Sequence, residues 1–410
     1  MVKKMCLVML SMCMLTSCIG CVKEDPEKSV IDQRRDAAES YMRRMATYMW
    51  RAGEDITYTR TNMVRTDEDL ANYDGTDNIS IKAGRLYRGI PYSYSGASAW
   101  NFYDYASKPD DKGIAAVSGI HWSALNGVSR VGNDCSGSIQ LAWDYVGSDI
   151  MAANTSNMTK MYGYLPVGAY TTNDNKYTNT KETCQQNGVA VMQQAYTGLQ
   201  KADAVVKREN SWGHTMMIVE NHVVQAEDGV DGEKSYVTVL HQTTFYVKKE
   251  AKVFDPEYGE DVYQIYGIDD KYTYDELYKQ GYLPITCDVF TDAAPVAEMV
   301  INDSETEHDF DNILQGTIIS NRFLSSVTIT ITDETGETAM EGTCYALRQT
   351  GQNFFSFDLS RFQTELPELQ RGRVVPEELA PGNYHCTHVV RDAHGGHHTM
   401  RDFDFTVPEK

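Results

Sequence analysis

Cys135 stands in the run Gly132-Asn133-Asp134-Cys135-Ser136-Gly137, where loop-forming residues give way to a helical pattern. A thiol at a helix N-terminus feels the positive end of the helix dipole, which favours thiolate and predicts a lowered pKa. Amide hydrolysis by such a thiol needs an imidazole as base and then acid, and a third group to orient the imidazole. His214 opens an apolar β pattern after Trp212-Gly213, and His241 closes the next one. In an antiparallel hairpin these positions fall at the same end of neighbouring strands, as an orienter requires. Gln242 and Glu220 are alternative third members. The competing reading of Cys135 is an inert core thiol, since free cysteines are often buried.

A second cluster, His385, Cys386, His388, His394, His397 and His398, has the side-chain types that hold zinc or copper. His385 and His388 differ in strand parity and so face opposite sides, and His394 lies in a turn. The cluster therefore reads as a solvated hairpin, and neither metal nor cofactor is expected. No glycine-rich phosphate loop and no paired-carboxylate signature stands out.

The elements that must position Cys135 and the histidines read as follows. A helix is expected over Ser29 to Trp50, capped by Ser29, with Ala38, Tyr41, Met42, Met45 and Met49 on one face. Residues 55 to 80, rich in Asn, Asp and Thr, read as loop, as does the stretch up to Gly132. From Cys135, the spacing of Ile139, Ala142, Trp143 and Val146 predicts an amphipathic helix with Gly147 at its end. Residues 148 to 182 read as a long surface loop. Strands are expected at 214–219 and 236–241, joined through the turn-rich Glu227 to Gly232, with shorter ones near Tyr246 and Tyr263. Beyond residue 290, alternating runs at 327–331, 354–357, 385–390 and 403–407 between turn signals suggest an immunoglobulin-like sandwich, carrying a long charged loop from Gln363 to Leu379. The whole is α+β.

With these elements in place, Asp134-Cys135-Ser136-Gly137 and the upstream Gly89-Ile90-Pro91-Tyr92 resemble the NlpC-type cysteine peptidases of bacterial cell walls. So do the turn Leu199-Gln200-Lys201-Ala202-Asp203, where the family usually has Gly at the Ala202 position, and the strand starting at His214. The resemblance covers roughly residues 80 to 250. The hairpin from His214 to His241 also resembles a related wall-amidase fold, in which the third residue is often Glu. The resemblance implies a papain-like domain with an antiparallel sheet over 29–285, ahead of the immunoglobulin-like domain at 290–410. It implies hydrolysis of peptidoglycan stem peptides between D-glutamate and the diamino acid. Cys135 would be the nucleophile, His214 the base and His241 the orienter, with the Cys135 amide donating to the oxyanion. Tyr92 would flank the thiol, and Asp134 and Ser136 would meet the free amino end of the peptide. Arg88 or Arg85, from charge alone, is the expected partner of the stem's carboxylates.

The N-terminus supplies an address. Lys3 and Lys4 precede an apolar run from Leu7 to Leu15, too short to span a bilayer. Leu15-Thr16-Ser17-Cys18 resembles a lipoprotein signal, which implies removal of residues 1–17, lipidation of Cys18 and a tether over 18–28. The expected location is the bacterial cell envelope, at the outer membrane. The chain has 410 residues, 37 Lys and Arg against 58 Asp and Glu, and a formal charge of −21. That acidity, with no basic stripe, argues against nucleic-acid binding. The cysteines past Cys18 are scattered singly, so mostly free thiols are expected. A monomer is expected, with stem peptides and the membrane as partners. Two further functions stay open: a non-catalytic surface protein that binds wall fragments or a partner, and an amidase or acyltransferase using the same cysteine.

Overall fold

The computed structural model describes residues 28–59, 78–92, 99–120, 132–148, 150, 154–172, 179–210, 212–293, 295–345, 348–351, 354–364 and 370–409. The signal, Cys18 and nearly all of the tether lie outside the described residues. No described helix is long and apolar enough to cross a membrane. Strand outweighs helix, and the chain is α+β.

Helix α1 spans Val30–Thr47. Ser29 caps it by accepting from the Asp32 amide at 3.1 Å. Ala38, Tyr41, Met42 and Met45 are buried, as their spacing predicts. The helix stops before Trp50, which lies in the strand Met49–Ala52 instead. The reason is a better partner: Trp50 pairs across strands with Tyr87, their rings stacked at 5.0 Å, and its indole donates to the Gly89 carbonyl at 2.8 Å. The 55–80 region is likewise not all loop. Ile56–Thr59 pairs with Asn78–Ile81, and the alternating Ile56, Ile79 and Ile81 are buried beneath polar neighbours that hide the pattern in the sequence. The loop expected before Gly132 contains a short helix, Ala99–Tyr103, and a strand, Ala115–Val117.

Helix α2 is Cys135–Tyr145. Its residues 135–144 are all buried, so it is enclosed rather than amphipathic. Below it lies a six-stranded antiparallel sheet of β1 (Leu165–Pro166), β2 (Ala204–Glu209), β3 (Trp212–His222), β4 (Tyr236–Gln242), β5 (Tyr266–Thr273) and β6 (Leu283–Thr286). Its order is β5-β4-β3-β2-β6-β1. The described residues of the 148–182 segment are part of this body and not a loop over it. It supplies the short helix Thr155–Thr159 and edge strand β1, and it buries Met158, Tyr164 and Tyr170. Near Tyr246 the chain forms a short helix, Phe245–Lys248, where a strand was expected.

Two details fix α1 and α2 against the sheet. Ala202 takes the left-handed conformation (φ +66), the geometry for which glycine is the strain-free residue, and its carbonyl accepts from the Trp143 indole at 2.8 Å. Next to it, buried Asp203 accepts from Arg35 of α1 at 2.8 Å, from Thr286 at 2.6 Å and from the Gln200 amide at 2.8 Å. Breaking such a paired buried charge costs roughly 3–5 kcal/mol.

Past residue 300, a four-stranded and a five-stranded antiparallel sheet enclose a separate core that includes Val327, Ile329, Ile331, Phe357, Cys386 and Phe405. The Gln363–Leu379 stretch contributes an edge strand, Gln370–Arg373, to the larger sheet. This unit docks on α2. Arg322 donates to the Ser148 carbonyl at 2.9 Å and lies 3.8 Å from Asp144, while His394 sits 3.1 Å from the Leu141 carbonyl. That cover encloses the side of α2 turned away from the sheet.

Candidate active site

The loop before α2 is built by close backbone approach. Gly132 has φ +103, and a Cβ there would strike the Pro91 carbonyl. Tyr92 forms an isolated parallel bridge with Asn133, which lays the Gly89–Tyr92 segment beside the entry to the helix. Asp134 then caps α2, accepting from the Gly137 amide at 2.6 Å and the Ser136 hydroxyl at 2.9 Å. Burial nevertheless raises the Asp134 carboxyl above its usual range, against those hydrogen bonds. In this state Asp134 and Ser136 serve the helix start.

Cys135 is the first helical residue and is only 5% exposed. The backbone amide of Thr215 acts on its thiol, just past the point where the β3–β4 pairing ends at Met217–Leu240. The thiol therefore lies against the residue that follows His214. The lowered pKa expected from the helix dipole is not what results. Burial, followed by the Asp134 carboxylate, pushes the thiol up to about 12, outweighing the amides of Thr215, Ser136 and Cys135.

The two histidines meet as the hairpin geometry predicts. Nε2 of His214 lies 2.8 Å from Nδ1 of His241, and the rings stand edge to face. His241 is buried and His214 half-buried. The line continues to a residue the sequence reading missed: Nε2 of His241 lies 2.8 Å from Oδ2 of Asp270 in β5. The Tyr246 hydroxyl donates to the same oxygen. Burial alone would raise the Asp270 carboxyl, but the hydrogen bonds from His241 and Tyr246 outweigh it and hold it below its ordinary value.

Asp270 reaches this place through a β-bulge. Val239 pairs with Asp270 but Leu240 with Ile268, leaving Asp269 as the extra residue, at φ +55. Arg43 of α1 grips Asp269 with both terminal nitrogens, at 2.9 and 3.1 Å. The signal available in the sequence was the Asp269-Asp270 pair within an otherwise β-like run. Gly267, opposite His241, completes the cradle: a Cβ there would fall on the His241 ring.

Other expected residues are engaged elsewhere. Gln242 is fully buried and donates to the Ile90 carbonyl at 2.7 Å, and Glu220 is exposed six residues along β3 from His214, so neither orients that ring. Arg88 pairs with Asp255 at 2.8 Å and Arg85 with Glu250 at 2.7 Å, which removes both as ready partners for a substrate carboxylate. The nearer cation is Lys207, directly across β2–β3 from His214. It lies between the rings of Tyr282 (4.6 Å) and Trp212 (5.1 Å) and donates to Gln280, with no carboxylate in ion-pair range among the described residues. Burial pulls its pKa down to about 8.

The C-terminal histidines disperse. His385 pairs with Asp402 and Asp404 at the surface, His398 with Asp392, and His388 is buried between the two sheets. Among the described residues no group of three or more His, Cys, Asp or Glu converges on a metal position. The described cysteines 135, 184, 287, 344 and 386 are free and buried. No protein-family model matches this chain, and no curated protein is significantly similar to it in sequence.

Proposed function

We propose that this protein is a cysteine endopeptidase of the bacterial cell envelope, hydrolysing peptidoglycan stem peptides at the D-γ-glutamyl–diamino acid bond. The observation that carries the reading is the line His214–His241–Asp270, with the Cys135 thiol at a helix start and under the influence of the amide of Thr215, the residue after the first histidine. A core thiol needs no such line. A helix bearing the nucleophile on an antiparallel sheet bearing the base supports a papain-like, NlpC-type assignment for residues 29–285. Two facing antiparallel sheets support an immunoglobulin-like one for 290–410. The N-terminal motif supports lipid anchorage through Cys18.

In this reading His214 takes the thiol proton as sulfur attacks the carbonyl carbon. The Cys135 amide stabilises the oxyanion, and His214 returns the proton to the leaving amine as the C–N bond breaks. Water, deprotonated by the same ring, then releases the acyl group. Because the resting thiol is protonated, the base must act during attack and not before it. Lys207 is the candidate partner for a substrate carboxylate beside the scissile bond.

The deep burial of the thiol favours one second reading, a surface protein that binds wall fragments without cutting them. The chain from Val22 onward, incubated with stem tripeptide and tetrapeptide beside Cys135→Ala, separates the two by mass spectrometry of the products. Release of a dipeptide by the wild type alone supports the peptidase. Binding without cleavage supports the second reading.

A further inference from the structure

The hydrogen-bond line past His214 constrains where each proton sits. An ionised carboxylate only accepts, so the 2.8 Å contact between Asp270 Oδ2 and His241 Nε2 requires the proton on that nitrogen. A neutral His241 then offers a lone pair at Nδ1. The 2.8 Å contact from there to His214 Nε2 is a hydrogen bond only if His214 donates. With its proton on Nε2, neutral His214 carries its lone pair on Nδ1, and Nδ1 is the atom that can receive a thiol proton. We propose that Asp270 is the positioning residue that sets the tautomers of both histidines and thereby makes Nδ1 of His214 the base, with the Asp269 bulge and Arg43 aiming the carboxylate.

This inference rests on the peptidase reading only for its kinetic consequence. The proton moves from Cys135 sulfur to His214 Nδ1 as the C–S bond forms, and from Nδ1 to the amine nitrogen as the C–N bond breaks. Between those events the positive charge on His214 faces a neutral acceptor, His241, which in turn donates to the Asp270 carboxylate. The Tyr246 hydroxyl, shared on Oδ2, fixes which carboxylate oxygen points at the ring.

Asn is nearly the same shape as Asp, which gives a test that a purely structural role does not mimic. In Asp270→Asn the side-chain amide can donate to His241 Nε2. That reverses both hydrogen bonds and leaves His214 with its proton on Nδ1, where the base should be. The histidine tautomers of the full chain are read by nitrogen-15 NMR without substrate, in wild type, Asp270→Asn and Asp270→Ala. The expected result is both rings protonated at Nε2 in the wild type and both at Nδ1 in the Asn variant. The kcat of Asp270→Asn should fall roughly 10²–10⁴-fold with KM little changed, and no less than that of Asp270→Ala. A wild type with His214 protonated at Nδ1, an Asn variant with unchanged tautomers, or one with unaltered kcat overturns the proposal. If the Asn variant does not fold, the wild-type tautomers together with Arg43→Ala decide. In that variant the tautomers should become mixed and kcat should fall about tenfold, and unchanged tautomers would refute the aiming role. A wild type that cleaves nothing, yet has the expected tautomers and reverses them in the Asn variant, would sink the peptidase reading and leave this assignment standing.

Discussion

Replacing Gly267 by Ala isolates the cradle of His241 from the rest of the sheet. At an ordinary strand position this exchange stabilises by about 0.5–1 kcal/mol, because glycine loses more backbone entropy on folding. Gly267 lies outside the left-handed region, so its backbone offers no objection to a side chain. The obstacle is local. The new Cβ would land on Cδ2 and Nε2 of His241 and 2.8 Å from Oδ2 of Asp270, inside contact distance of all three atoms. The imidazole must rotate away, giving up its 2.8 Å bonds to His214 and Asp270 together. One of these goes to an ionised group, so the sign reverses and stability falls by about 2–4 kcal/mol. Misorientation of the base should lower kcat roughly a hundredfold, with a smaller change in KM. The assay is stem-peptide hydrolysis and a denaturant melt in wild type, Gly267→Ala, His241→Ala and the double variant. Once the ring is gone the added methyl meets only Asp270 Oδ2, a carboxylate that has already lost its imidazole partner, so the double variant should be no slower than His241→Ala. Full activity in Gly267→Ala, or additive losses in the double variant, would refute the reasoning.

Other predictions follow from groups whose titration the fold has moved. The Cys135 thiol, pushed up to about 12, is only about 10⁻⁵ thiolate at pH 7. Its alkylation by iodoacetamide, followed on the Cys135 peptide, should therefore rise about tenfold per pH unit from 6 to 10; a plateau below pH 8 would mean a preformed thiolate. Lys207→Met should raise KM for stem peptides about tenfold or more, with little change for amidated ones. Because Lys207 loses its charge near pH 8, wild-type KM should climb above that pH and the variant's should not. His388, with neither ring nitrogen hydrogen-bonded among the described residues, is held down to about 3 by burial, then by Arg401, against the opposing charge of Asp303; His308 also faces it and lowers it further. The unfolded chain binds this proton first, so stability is complete above pH 6.5 and is lost as pH falls toward 3. His388→Leu should flatten that loss in urea melts and gain about 1–3 kcal/mol at pH 7; an unchanged pH profile would exclude the histidine as its source.

How much could be read from the chain differs between its parts. The place of Cys135 at a helix start and the meeting of His214 with His241 were legible because a loop-to-helix change and two adjacent β patterns put them at predictable ends of elements. Asp270 was not, since its direction depends on one bulge residue, Asp269, in a strand with no clean alternation. The expected Arg88 contact came from charge alone, which carries no account of Asp255, its partner 167 positions later in the chain. Trp50 and the 148–182 segment were misassigned for a common reason: partners elsewhere in the fold, Tyr87 for Trp50, Trp143 for Tyr164 and the Pro284 carbonyl for Tyr170, decide their conformation. Helix α2 reads as amphipathic because its polar residues are covered by partners no local pattern announces, Gln140 by the Ile150 carbonyl and Asp144 by Arg322 of the second unit. The expected drop in the thiol's pKa failed similarly, because dipole and burial act in opposite directions and only the folded chain sets the burial.

The central claim is that the Cys135 sulfur forms a covalent bond with substrate. Mixing the chain with stem tripeptide, quenching in acid within milliseconds to seconds and measuring the intact mass tests it most directly. The expected result is a transient adduct with the mass of the amino-terminal dipeptide acyl group, mapped to Cys135 and absent in Cys135→Ala. Hydrolysis that proceeds equally in Cys135→Ala, or an adduct on any other residue, would contradict it.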